Sequence, residues 1–327
     1  MTGLGDVIPP PLLALLRGRA LTLARPAWGR RQGRHFSARE GHGQEFRGHR
    51  GYVPGDELRR LDWRAVARHD RLVLREAHSE DELDIALLID GSAAMDYGEG
   101  WAHKRRHANA LAAALASVAL RQGDRVGLAI ARGPTPDPSM LRPRGGQAQL
   151  ARIVARVLED RYEETCPWPL HLAPLATALP RRGLVILLGD LLDPCAGLPG
   201  AAPDADPQVA DAPLLHALAT LRARGHALVI VQLLHRDELE FPWDGRELLR
   251  IEDPRRLRAD VEGPGVSLRA GYLARLRAHL TWFERGCERE GVHLVRLVSD
   301  APVTAGFLAI LDQLAGKPRR LETEAAP

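Results

Sequence analysis

Residues 83–90 read LDIALLID and residues 184–190 read LVILLGD. Each is a short, nearly continuous apolar run that ends on an aspartate. A strand with water on one face alternates apolar and polar residues, whereas a strand covered on both faces reads apolar throughout. Both runs therefore read as buried parallel strands, with Asp90 and Asp190 at their C-terminal ends. Open α/β sheets bind ligands beyond those ends, where the strand order reverses. The two aspartates are the first pointer to function.

Around these runs the pattern alternates. A helix rich in Ala and Leu spans 103–122 and stops at Gly123, a strand follows over 125–131, and a loop with a short strand near Met140 leads to a helix over 147–160. A helical piece covers 172–179, and a Pro- and Gly-rich loop covers 193–213. Helix 214–224, strand 227–234, an edge strand over 247–252, helix 272–290, strand 292–298 and helix 303–314 complete the series. Strands alternating with helices predict a doubly wound, mostly parallel α/β sheet flanked by helices over 81–316. Residues 1–80 read as a smaller N-terminal module and 317–327 as a polar tail. In that module, 31–55 is Gly-, His- and Arg-rich and reads as an extended loop, followed by a helical pattern from Asp56 to about His69.

Composition narrows the function classes. The 327 residues carry 45 basic and 42 acidic side chains, interleaved rather than clustered, which speaks against nucleic-acid binding. The basic run Lys104-Arg105-Arg106 and the start of its helix, with His103 and His107, read as a solvated face. Three widely spaced cysteines, Cys166, Cys195 and Cys287, fit neither a disulfide framework nor a zinc pattern and point to a reducing compartment. With no signal-peptide pattern and no apolar run long enough to span a bilayer, the expected location is the cytoplasm.

Two clusters carry chemistry. In Asp90-Gly91-Ser92-Ala93-Ala94-Met95, a carboxylate and a hydroxyl two residues apart can face one point, and such hard oxygen donors suit Mg²⁺. Asp190 stands at the end of the second run. Together they resemble the metal-ion-dependent adhesion site of von Willebrand factor A domains, which uses Asp-x-Ser-x-Ser, then a Thr, then an Asp. Ala94 replaces the second Ser, and the expected second loop around Gly145-Gly146-Gln147-Ala148 has no Thr. What is left is a degenerate site with Asp90, Ser92 and Asp190 as candidate ligands for weakly bound Mg²⁺. The alternative is that Asp90 and Ser92 cap the loop and helix that follow.

The second cluster is longer. From Arg50 to Glu80 the chain reads RGYVPGDELRRLDWRAVARHDRLVLREAHSE. Arg50, Tyr52, Gly55, Asp56, Arg59, Asp62, Trp63, Ala67, Arg68, Arg75, Glu76 and Glu80 fall in order on the signature of the bacterial family called domain of unknown function 58. The segment resembles that family, in which the signature precedes a von Willebrand factor A-like domain. On this reading Arg59 and Asp62 pair along a helix and Trp63 docks it, so the segment is mainly scaffold, with a partner surface as the other use. The resemblance implies a non-enzymatic protein-interaction domain acting with a MoxR-type AAA+ ATPase in assembly or maturation of a client. A metal-dependent hydrolase at an Asp90/Asp190 cleft is the alternative. It would need a base or nucleophile, which no motif spacing supplies.

Overall fold

The computed structural model describes residues 3–23, 46–51, 73–77, 82–137, 139–159, 163, 165–179, 182–195, 198, 212–256 and 259–317. The chain forms two compact units, one of residues 31–82 and one of residues 1–30 with 83–327. In the smaller unit, strand β1 (Phe46–Gly51) pairs antiparallel with β2 (Val73–Ala77), with a register shift between Phe46 and Gly48. Sequence reasoning expects a loop at 46–51, because Gly, His and Arg there carry no strand propensity. The strand exists through a partner more than twenty residues downstream.

The larger unit opens with the short helix α1 (Pro10–Leu15), with Pro at its first position. A helix this short does not hold itself in water. It is fixed by burial: Val7, Ile8, Leu12 and Leu16 all enter the main hydrophobic core. The unit boundary therefore differs from a division at residue 80, because the first residues are part of the α/β core.

The remaining elements run β3 (Asp84–Asp90), α2 (Lys104–Arg121), β4 (Arg125–Ala131), β5 (Leu141–Arg144), α3 (Gln147–Val157), α4 (Trp168–Ala178), β6 (Leu184–Gly189), α5 (Ala212–Ala223), β7 (Ala227–Leu234), α6 (Arg236–Glu240), β8 (Leu248–Ile251), β9 (Val261–Pro264), α7 (Gly265–Arg289), β10 (His293–Val298) and α8 (Val303–Leu314). The main sheet has the order β10-β7-β6-β3-β4-β5. All neighbours in it are parallel except β5, which returns antiparallel to β4. This is the expected α/β class, a mostly parallel sheet flanked by helices.

Side-chain alternation along β3 explains the layers. Ile85, Leu87 and Ile89 enter the core formed with α1, α2, α3 and α8. Ala86 and Leu88 enter the opposite core, with α4, α5 and α7. Burial on both faces is why the strand reads as one apolar run, and each large aliphatic side chain so buried contributes roughly 1.5–3 kcal/mol.

Two elements depart from the sequence expectation. Strand β8 is not an edge of the main sheet; it pairs only with β9, as a separate hairpin. Helix α7 starts at Gly265, earlier than residue 272. A Cβ on Gly265 would collide with the Trp243 carbonyl oxygen, so the turn into the helix needs glycine, the residue that weakens a helical pattern. Among the described residues no helix is long and apolar enough to cross a membrane.

Candidate functional site

Strand β3 lies between β4 on one side and β6 on the other, and β7 and β10 extend the sheet beyond β6. The strand order therefore reverses between β3 and β6, the strands whose ends carry Asp90 and Asp190. Both carboxylates are buried, at 2% and 1% exposure. Gly189 lets them approach. A Cβ there would sit 2.8 Å from Asp90 Cβ and 2.9 Å from Asp90 Oδ2.

Asp90 is held by the backbone of its own loop. Its Oδ1 accepts the Ser92 N–H at 2.8 Å, while its backbone carbonyl accepts from Arg105 Nη1 at 2.6 Å. Ser92 is fully buried, and its hydroxyl makes no hydrogen bond of good geometry among the described residues. Its weak contact with Asp90 is the smallest of the effects that favour the ionised carboxylate. Burial first, and then the charge of Asp190, push the Asp90 carboxyl up to about 6 from 3.8.

Asp190 has the opposite surroundings. Arg255 Nη2 lies 3.2 Å from its Oδ1 and 3.3 Å from its Oδ2, and Lys104 Nζ lies 3.3 Å from Oδ2. The Leu192 N–H also donates to Oδ1, at 3.3 Å. Burial raises the Asp190 carboxyl, but Lys104 and Arg255 outweigh it and hold the group below the usual carboxylate range. Lys104, the first residue of α2, is completely buried and also donates to Glu238 Oε1 at 2.7 Å. Burial pulls its ammonium down, yet Asp190 and Glu238 keep it above the ordinary lysine value. Arg255 sits in the connection between β8 and β9. Leu191 (φ 53°) and Arg256 (φ 54°), the residues directly after the two partners of this ion pair, both adopt the left-handed region. Such strain costs on the order of 1 kcal/mol each and persists where the surroundings over-determine it.

The expected solvated face at 103–107 is thus corrected. Lys104, Arg105 and His107 are buried, and His107 Nδ1 lies 2.9 Å from the Ser299 carbonyl oxygen. The expected second loop is also misplaced. Because β5 is antiparallel and Arg144 pairs with Val126, residues 145–148 lie at the far end of the sheet from Asp90. The neighbours of the Asp90 loop and of the end of β4 include Glu163 and Thr165. The Ala93 N–H donates to the Glu163 carbonyl at 2.7 Å, and the Gly133 N–H donates to that of Thr165 at 2.8 Å. This segment does carry a threonine.

The structure brings Asp90, Ser92 and Asp190 to one edge. This donor set, as arranged, does not fit a divalent cation, because Asp190 already faces an ammonium and a guanidinium. Among the described residues no group of three or more His, Cys, Asp or Glu could hold a metal. Of the signature, Tyr52, Gly55, Asp56, Arg59, Asp62, Trp63, Ala67, Arg68 and Glu80 lie outside the described residues. Arg50 and Arg75 occupy strands β1 and β2, where Arg50 is in register with Leu74, Arg75 with His49 and Glu76 with Gly48.

Residues 48–281 match the family described as "Protein of unknown function DUF58", a span that includes the signature and both aspartates. The chain belongs to the DUF58 family. Uncharacterized proteins of Mycobacterium tuberculosis and Mycobacterium bovis are each 31% identical to this DUF58 chain over 191 residues, 58% of it and 60% of theirs. The chain therefore spans about 60% of the length of the curated relatives it matches. Among solved structures, an aerotolerance-related membrane protein from Bacteroides fragilis is similar over 72% of this chain and 99% of that one, at 11% identity and a TM-score of 0.41. The pilus adhesin SpaC from Lactobacillus rhamnosus GG is similar over 73% of this chain and 30% of that one, at 12% identity and a TM-score of 0.42.

Proposed function

We propose that this DUF58 chain is a non-enzymatic protein-interaction domain of the von Willebrand factor A-like kind. In this reading it acts with a MoxR-type AAA+ ATPase in the assembly or maturation of a client protein. The observation that carries the proposal is the state of the sheet edge at the β3/β6 reversal. Its two carboxylates are buried and engaged by the chain's own groups, so among the described residues the two aspartates offer no accessible base or nucleophile, and recognition falls to the loops above them. The loop after β3 offers a suitable anchor in Trp101, which is 38% exposed, with the Arg106 guanidinium 5.3 Å from its ring centroid. Trp and Arg are the residue types that most often dominate binding energy at interfaces. Cys166, Cys195 and Cys287 are buried and form no disulfide, which suits a reducing, cytoplasmic compartment.

The test is capture of the purified MoxR-type ATPase from the same organism by the immobilised full chain. The expected result is capture by wild type and a severalfold loss in Trp101→Ala, whose melting temperature stays that of wild type. Absence of capture by the wild-type chain rejects the ATPase as partner. Hydrolysis of phosphoester or peptide substrates that disappears in Asp90→Ala rejects the non-enzymatic reading.

A further inference from the structure

We propose that Lys104 and Arg255 take the place of a divalent cation at the β3/β6 edge, so that the site is closed to metal by the chain's own charges. The inference goes beyond the binding reading and does not depend on any partner.

The cluster is a built one. Lys104 Nζ sits between Asp190 Oδ2 at 3.3 Å and Glu238 Oε1 at 2.7 Å, and Arg255 Nη2 spans both oxygens of Asp190 at 3.2 and 3.3 Å. The Lys104 side chain is fully buried and that of Arg255 is 10% exposed. Removing charges from water is expensive and is repaid only when opposite charges meet with good geometry. Here the two cations come from separate parts of the chain, α2 and the β8–β9 connection, and they converge on one carboxylate. A divalent ion at Asp190 would be repelled by both at short range in a medium of low polarisability.

The two cations are not equivalent. Lys104 is locked into the first turn of α2, beneath Glu238. Arg255 reaches in from a connection outside the main sheet. It is thus the removable half of the pair. Without it, the Asp190 and Glu238 carboxylates share the single Lys104 ammonium, and the excess negative charge is what a divalent cation neutralises.

The full chain tests this with Mn²⁺ as probe, read as free Mn²⁺ by electron paramagnetic resonance and as the shift of the thermal midpoint. Wild type and Arg255→Lys, which keeps the charge, should leave millimolar Mn²⁺ free and melt unchanged in its presence. Arg255→Met, which keeps the apolar stem, should bind Mn²⁺ about tenfold or more tightly than wild type and melt higher with it. A further Asp190→Asn change should abolish that binding. Wild-type binding of Mn²⁺ that Asp90→Asn removes, or an Arg255→Met chain that binds no better than wild type, overturns the proposal. Where Arg255→Met folds poorly, the wild-type melt decides. A midpoint unmoved by Mn²⁺ supports closure by internal cations, and a raised one contradicts it.

Discussion

Strands β3 and β6 are near twins in sequence, side by side in the sheet, and each delivers an aspartate to the same edge. Their carboxylates end in opposite states. Asp90 is buried beside the charge of its neighbour with one backbone donor, the Ser92 N–H, against it, and its carboxyl rises to about 6. Asp190 meets Lys104 and Arg255 and falls below the ordinary value. The strand pattern sets where each carboxylate goes. What Asp190 does there is set by Arg255 and Lys104, 65 and 86 positions away in the chain.

The comparison breaks most severely at Asp190. Asp190→Asn leaves Lys104 and Arg255 buried against a neutral group, and should lower unfolding stability at neutral pH by about 3–5 kcal/mol. Urea denaturation measures this, and a change no larger than that of an average surface substitution contradicts the ion cluster.

Gly189→Ala probes the closeness of the two strand ends. Its methyl would press on Asp90, with an expected loss of about 1–3 kcal/mol in the same assay. Relief of most of that loss in a Gly189→Ala, Asp90→Gly double variant, which removes the Cβ as well as the carboxylate, would locate the clash at Asp90.

Asp90→Asn should act with the opposite sign to Asp190→Asn. A carboxyl whose folded pKa is raised contributes stability that is fully present below its unfolded value of 3.8 and is lost as pH rises through about 6. Ionised Asp90 therefore weakens the fold above that pH. Replacing it should stabilise the chain by roughly 1–3 kcal/mol at pH 8 and by nothing near pH 3. Asp190, with its folded pKa lowered, contributes stability above its unfolded value of 3.8 that is lost as pH falls through the folded one. Stability curves of both variants against pH separate the two aspartates.

The smallest effect belongs to a region built from the same residue types in water. Arg250 of the β8–β9 hairpin lies 2.6 Å from Asp260, but its side chain is 61% exposed. Solvent and salt screen such a pair. Arg250→Ala should leave the denaturation midpoint where it is, and a clear drop would show that the hairpin's ion pairs matter to the fold.

The same contrast explains what the sequence reveals. Strands β3, β4, β6 and β7 are legible because both faces are apolar, whereas the reversal at β3/β6 comes from the strand order of the folded sheet. Asp90, Ser92 and Asp190 are found for the same reason. Lys104 is misread because a basic run ordinarily faces water. The signal against that reading was available: residues 108–120 of α2 are almost all Ala, Leu and Val, and a helix apolar on every side is buried all round. Arg255 carries no such signal. It lies in a short connection between two exposed strands, and only the folded chain brings it to Asp190. Glu163 and Thr165 are hidden similarly, since the antiparallel return of β5 moves the expected loop at 145–148 to the other end of the sheet.

The most direct test of these opposite fates is a titration of the two side-chain carboxyl carbons in the full chain by nuclear magnetic resonance, assigned through Asp90→Asn and Asp190→Asn. Asp90 should titrate near pH 6 and Asp190 should stay ionised below 3.8, with neither curve moved by millimolar Mg²⁺. Two carboxyls titrating together in the ordinary range, or an Asp190 curve displaced by Mg²⁺, would contradict it.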